Sequence, residues 1–288
     1  LKINAKYVVK QEKKDLLHGY FAKSGSIDSF GLVISGLLGA FLVKQFGVSI
    51  IWIVAGISFS ITFLILGFAK EHFVKQDVKI KDSLNKLTKQ SITSVRYARN
   101  HPVLFLFLIA GMILVFASVF NGDLAWVTLL QELNFPDYAF GYMWSAMGAT
   151  GIFASLISLK LMKKGKEKKF ILTSIVLGAI VTSLVFFANS IVFALSILLA
   201  GIFLFFMKSP VERIYFHKFI KSKLRATIGS VEGMLIGFVG MISMPLAGLS
   251  VDYLGAKYTI LISAILMIPA IIIYSKIREN KNSTQRST

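Results

Sequence analysis

Charged residues are spaced along this chain so as to leave long apolar intervals between them. Residues 45 to 69, 102 to 122, 138 to 159 and 258 to 275 hold no Asp, Glu, Lys or Arg; residues 24 to 43 hold only Asp28, and residues 226 to 251 only Glu232. Each interval has the roughly 17 to 25 residues that a helix needs to cross a hydrocarbon core. A seventh interval, 170 to 207, runs for 38 residues and is too long for one crossing. Asn189 and Ser190 in its middle offer a turn that leaves two helices of ordinary length. The pattern predicts an all-α polytopic membrane protein with eight transmembrane helices.

The basic residues orient these helices. Segments before residue 24 and at 70 to 101, 160 to 169, 208 to 225 and 276 to 288 carry 6, 8, 6, 6 and 4 Lys or Arg, leaving only Lys44 and Lys257 elsewhere. An even number of crossings places these five segments on one side, and Lys and Arg in short loops stay on the cytoplasmic side. Both ends of the chain are therefore expected in the cytoplasm, with the protein multi-pass in the cell membrane. The net charge of +18 then belongs to loops facing anionic lipid headgroups rather than to a nucleic-acid surface.

Other chemistries find little support. There is no cysteine, which excludes disulfides and thiolate metal sites. The histidines, His18, His72, His101 and His217, stand in basic loops or at helix ends with no two at metal-ligand spacing. No G-x-x-x-x-G-K-[ST] sequence occurs, so no P-loop nucleotide site is expected. Neither metal nor cofactor is expected; the expected partners are the lipid bilayer, a small-molecule substrate and, for coupling, protons.

The segment 70–101 divides the chain after the second span. Within it Leu84, Leu87, Ile92 and Val95 recur at near-helical spacing among lysines and arginines, the pattern of an amphipathic helix on the inner membrane surface. His101-Pro102 opens the next span, with proline where a first helical turn tolerates it. Late in the chain "MPLAGLSVDYLGAKY" presents Pro245, Gly248, Asp252 and Gly255 in the spacing P-x-x-G-x-x-x-D-x-x-G, preceded by Arg225-Ala226. The loop "MKKGKEKKF" presents Lys163, Gly165, Lys168 and Lys169.

This layout and these motifs resemble the major facilitator superfamily, whose members join two six-helix halves by a long cytoplasmic loop. On that resemblance the chain, which starts at Leu1 and lacks an apolar signal segment, is expected to be a fragment corresponding to helices 5 to 12. Residues 1–69 would be the remnant of the N-terminal bundle, 70–101 the central loop, 102–276 the C-terminal bundle and 277–288 a cytoplasmic tail. The loop motif departs from the family pattern at Ser158 and Met162, and in the fifth helix Ser35-Gly36 stands where drug/proton antiporters carry Gly-Pro.

Small residues line three helices: Gly31, Ser35 and Gly39; Gly141, Ser145, Gly148, Gly151 and Ser155; and Gly229, Gly233, Gly237 and Gly240. Such stripes let helices approach closely in lipid. The resemblance implies that they line the seam between the halves, as sliding contacts or as static packing. The sixth, ninth and twelfth helices read as lipid-facing scaffold. The seventh and tenth would line the substrate cavity, with Phe116, Phe120 and Asn121 as contacts; their Phe, Leu, Ile and Met suit an apolar or amphipathic solute better than a sugar. The alternative is that these residues face lipid and neighbouring helices.

Intramembrane carboxylates are costly and usually face a partner or water. Glu232, in "GSVEGMLIG", either reaches toward the cytoplasm or a basic residue, or faces a vestibule that wets and dries it and so moves a proton. Asp28 and Asp123 are further candidates for that role. The expected function is secondary active transport by alternating access, with ion-driven export as the favoured direction. A membrane-embedded enzyme, or a transporter-like scaffold without turnover, are the alternatives.

Overall fold

The computed structural model describes residues 30–68, 92, 96–97, 99–162, 165–220 and 224–277. Asp28, Lys163 and most of the amphipathic pattern at 84–95 lie outside them.

The described residues form nine α-helices: α1 Phe30–Phe46, α2 Ile50–Gly67, α3 Pro102–Phe120, α4 Asp123–Glu132, α5 Ala139–Leu161, α6 Glu167–Ser183, α7 Ile191–Lys218, α8 Arg225–Leu254 and α9 Ala256–Lys276. With no water to satisfy backbone groups in hydrocarbon, a spanning segment must close its hydrogen bonds internally. Seven helical segments are long and apolar enough to cross a membrane, and α1 is a shorter apolar helix beside them. The eight expected spans thus map onto seven long segments and α1.

Boundaries follow local chemistry. Pro102 occupies the first turn of α3, and Nδ1 of His101 accepts a hydrogen bond from the Leu104 N–H at 3.4 Å. The long interval breaks where Asn189-Ser190 predicts, after a 3-10 turn at Leu184–Phe187, and Ser190 Oγ accepts from the Phe193 N–H. Gly255 joins α8 to α9 at φ 86° and ψ 160°, a conformation nearly confined to glycine. This accounts for the glycine that ends the P-x-x-G-x-x-x-D-x-x-G stretch.

At the end of α3 the chain turns at Asn121-Gly122, and Asp123 opens α4. One expectation is corrected here: the segment from 208 is not loop. α7 continues through Pro210 to Lys218, so Lys208, Glu212 and Arg213 sit on a helix. Proline commonly ends helices because it lacks an N–H and crowds the preceding turn; here the helix runs on past it.

Helix pairings run in an arc, α5 against α7, α7 against α6, α6 against α9, α9 against α3 and α3 against α8. One apolar cluster gathers Leu104, Phe107, Tyr215, Phe216, Ile228 and Tyr274. A second, toward the opposite helix ends, gathers Trp126, Leu130, Met143, Ala194 and Ile260. Trp126 is buried there, its Nε1–H donating to Asn121 Oδ1 at 2.9 Å, so this indole fastens the α3–α4 joint. Trp52, by contrast, is 80% exposed on α2, a helix with no buried residue.

α1 packs on α5 through the smallest side chains. A Cβ on Gly141 would stand 2.5 Å from the Gly36 carbonyl oxygen and 2.6 Å from the Ala40 nitrogen. Ser145 Oγ donates across the same crossing to the Val33 carbonyl at 2.8 Å. Gly148 faces Val33 and Leu32, and Gly151 faces the Phe206 ring at 3.1 Å. At Gly31, Gly39, Gly229, Gly233 and Gly237 an added Cβ would meet nothing within 4 Å among the described residues. The tight crossing on α1 therefore falls at Gly36 and Ala40, which share a face with Val33, while Gly31 and Gly39 point elsewhere.

Candidate functional site

The arc encloses a cavity of about 620 Å³. Its wall comes from α3, α6, α7 and α8, with Met267 from α9. Most of this wall is apolar: Leu108, Met112 and Val115 from α3, Leu204 and Phe205 from α7, and Ile236 from α8. Hydroxyls on it are partly spent on their own helices, Ser118 Oγ donating to the Val115 carbonyl and Ser174 Oγ to the Phe170 carbonyl. A polyhydroxylated solute would thus exchange water for a surface with few free partners, which is costly.

Against that wall stands one charged group of residues: Lys208, Glu212 and Arg213 from α7 and Glu232 from α8. Lys208 and Glu212 are one helical turn apart and form an ion pair between Nζ and Oε2. The other carboxylate oxygen, Glu212 Oε1, accepts from the Tyr274 hydroxyl of α9 at 2.8 Å. Both oxygens of Glu212 are thereby engaged. Tyr274 is fully buried and packs edge-on to Phe107, with ring centroids 5.5 Å apart; Phe107 in turn stacks on Phe216 at 5.2 Å. The aromatic cluster holds the Tyr274 hydroxyl in place and shields the Lys208–Glu212 pair on one side.

Glu232 is different. It is half-buried on the cavity wall, and within 4.0 Å of its carboxylate there is no basic nitrogen among the described residues. Glu212 and Arg213 line the same cavity. The sequence-derived alternative of a direct basic partner for Glu232 thus finds none in the described set.

Of the other sequence-derived candidates, Asn121 lies on the cavity wall, whereas Phe116 and Phe120 are not among its lining residues; their rings lie tilted against each other with centroids 5.4 Å apart. Asp123 is exposed at the start of α4 and is not on the wall. Gly229 and Gly233 are on it and Gly237 is not. In the loop motif Gly165 adopts φ +82°, and Lys168 Nζ donates to the Ser275 and Ile277 carbonyls at 2.9 and 2.6 Å, capping the end of α9; Lys169 is exposed.

Sequence reasoning missed Lys208, Glu212 and Tyr274. The spacing of Lys208 and Glu212 is that of an ion pair on a helix face, but Lys208 opens the basic segment 208–225, which reads as a loop. The reading of the ninth and twelfth helices as scaffold is also corrected. α6 supplies Ser174, Ile175, Gly178 and Thr182 to the wall, and α9 supplies Met267 and the hydroxyl that fixes Glu212. Mean hydropathy hides such roles, because one tyrosine among aliphatic residues does not change it. No group of three or more His, Asp or Glu that could hold a metal occurs among the described residues.

Residues 13–240 match the family model described as the Major Facilitator Superfamily. The chain belongs to this superfamily. A chain of membrane-crossing helices in this family is a multi-pass membrane transporter. Comparison with curated proteins and with solved structures gave no match.

The triad makes a quantitative prediction for this transporter. Tyr274→Phe removes one hydrogen bond to a carboxylate and leaves Oε1 of Glu212 without its donor. A hydrogen bond to a charged group contributes about 1.5–3 kcal/mol, and the variant is expected to lose about that much. Chemical unfolding of purified protein in a fixed detergent measures it; an unchanged unfolding free energy would show that water replaces the hydroxyl at no cost.

Proposed function

We propose that this superfamily member is a secondary active transporter of a small apolar or amphipathic molecule, working by alternating access and driven by an ion gradient. The observation that carries the reading is the cavity itself: an apolar wall with one carboxylate, Glu232, that has no ion-pair partner among the described residues, beside a fully engaged pair, Lys208–Glu212. The apolar wall suits a greasy solute. The lone carboxylate suits proton coupling, since wetting and drying it alternately favours its charged and neutral forms. Export is the direction proposed, because a solute that suits this wall partitions inward across the bilayer unaided.

The proposed orientation places both ends of the chain in the cytoplasm, on the strength of the Lys and Arg distribution. With no cysteine in the chain, single-cysteine labelling tests it. Cysteine at Lys44 or Lys257 is expected to react with an impermeant reagent added outside intact cells, and cysteine at Lys166 is not. Labelling at Lys166 from outside would reverse the topology. The transport reading itself is tested in proteoliposomes of the full-length protein: a proton gradient is expected to drive accumulation of an amphipathic solute, and absence of any gradient-dependent flux would count against turnover.

A further inference from the structure

We infer that the cavity selects an amphipathic cation, with Glu232 receiving the cationic centre and the apolar wall receiving the rest. This deepens the transport reading above and rests on it. The inference starts from how the charges are already used. Lys208 and both oxygens of Glu212 are committed, to each other and to the Tyr274 hydroxyl. Arg213 is exposed and makes no ion pair within 4.0 Å among the described residues. Glu232 is half-buried, on the wall, and equally without an ion-pair partner in that set. Burying a carboxylate without a counter-charge is unfavourable, and a ligand that brings the counter-charge removes that cost. An anion would gain less: Lys208 and Glu212 neutralise each other, Glu232 repels it, and the other cation on the wall, Arg213, is more exposed than Glu232, so its charge is the better solvated of the two.

The heights of the residues bound the ligand. α3 and α8 begin in the first apolar cluster and α7 ends in it, so Phe107, Phe216 and Ile228 lie at one level. Four residues further toward the opposite helix ends stand Glu212 and Glu232, about 6 Å away at 1.5 Å per residue. Asn121, also on the wall, is fourteen residues beyond Phe107, roughly 15 Å past the two carboxylates by the same rise. Between those levels the wall is mostly Leu, Ile, Met, Val, Phe and Gly, with the Ser118 and Thr182 hydroxyls among them. At the far level Asn121 already uses its carbonyl oxygen on Trp126, so its N–H groups are what it offers a ligand. The geometry fits a molecule with a cation at one end and an apolar body up to about 15 Å long.

Three matched probes test this: (6-phenylhexyl)trimethylammonium, its neutral isostere ending in tert-butyl, and 7-phenylheptanoate. Binding is measured by equilibrium dialysis on full-length protein in nanodiscs, with partition into empty nanodiscs subtracted. The ammonium is expected to bind at least about tenfold more tightly than either analogue, equivalent to about 1.4 kcal/mol. Glu232→Gln is expected to erase that preference while leaving the neutral isostere within about twofold; Glu232→Asp is expected to keep most of it. Unfolding midpoints of both variants certify that they are folded. A carboxylate probe that binds best, or a preference that survives Glu232→Gln in folded protein, overturns the inference but leaves transport of some amphipathic molecule standing. Specific binding of no probe at all overturns the inference and the transport reading together.

Discussion

Glu232→Gln is expected to abolish gradient-driven accumulation while leaving substrate exchange at saturating concentration nearly intact. The two assays differ in one requirement. Driven flux needs a proton to travel with or against the solute, whereas exchange needs only that the loaded cavity open alternately to each side. Glutamine keeps the volume and a hydrogen-bonding end at this wall position but cannot bind and release a proton. The expected loss in driven flux is at least about tenfold, equivalent to about 1.4 kcal/mol, against a change in saturated exchange of less than about twofold. Saturation matters, because the variant is also expected to bind a cationic solute more weakly. If both activities fall in step with the amount of folded protein, Glu232 is a structural residue; if neither changes, coupling resides elsewhere. Glu212 is the poorer choice for this test. Removing it strands Lys208 and the Tyr274 hydroxyl of a half-buried pair, and leaving such groups without partners is destabilising, which would confound flux with folding.

The helices were legible in the sequence because lipid imposes one rule on every crossing segment, an unbroken apolar stretch of sufficient length. Asn189-Ser190 marked a real turn, and Gly255 a real joint, because each is chemistry confined to a few residues. Glu232 stood out for the same reason: one carboxylate in 26 apolar or small residues has no other explanation than a cavity, a partner or water. The rest of the site was not legible. Lys208 and Glu212 neutralise each other on one helix face, yet in sequence they read as the start of a basic loop, since the charges that follow signal an ending. Tyr274 could not be found from sequence at all. Its partner lies 62 positions away, and only the packing of α9 against α3 and α6 brings its hydroxyl to Glu212.

The glycine stripes show the same limit, and they yield the second large effect. Gly141→Ala is expected to destabilise the pairing of α1 with α5 by about 1–3 kcal/mol, the cost of overpacking a tight contact, while Gly229→Ala is expected to be neutral or stabilising. In sequence both are glycines at four-residue spacing on apolar helices. In the fold they differ in what a methyl group meets. At Gly141 it meets the Gly36 carbonyl oxygen, the Ala40 nitrogen and the Ala40 Cβ, all within 2.8 Å. Two of these are backbone atoms, which no rotamer change can move, so the helices must separate. Separation also stretches the 2.8 Å hydrogen bond from Ser145 Oγ to the Val33 carbonyl, whose donor would fall back on the Gly141 carbonyl one turn away. At Gly229 nothing lies within 4 Å, and alanine is the better helix former by about 1 kcal/mol. Unfolding free energies of the two variants in one detergent decide the matter. Equal losses would mean that Gly229 is packed against residues outside the described set; no loss at Gly141 would mean that α1 and α5 are held together mainly by lipid rather than by their own contact.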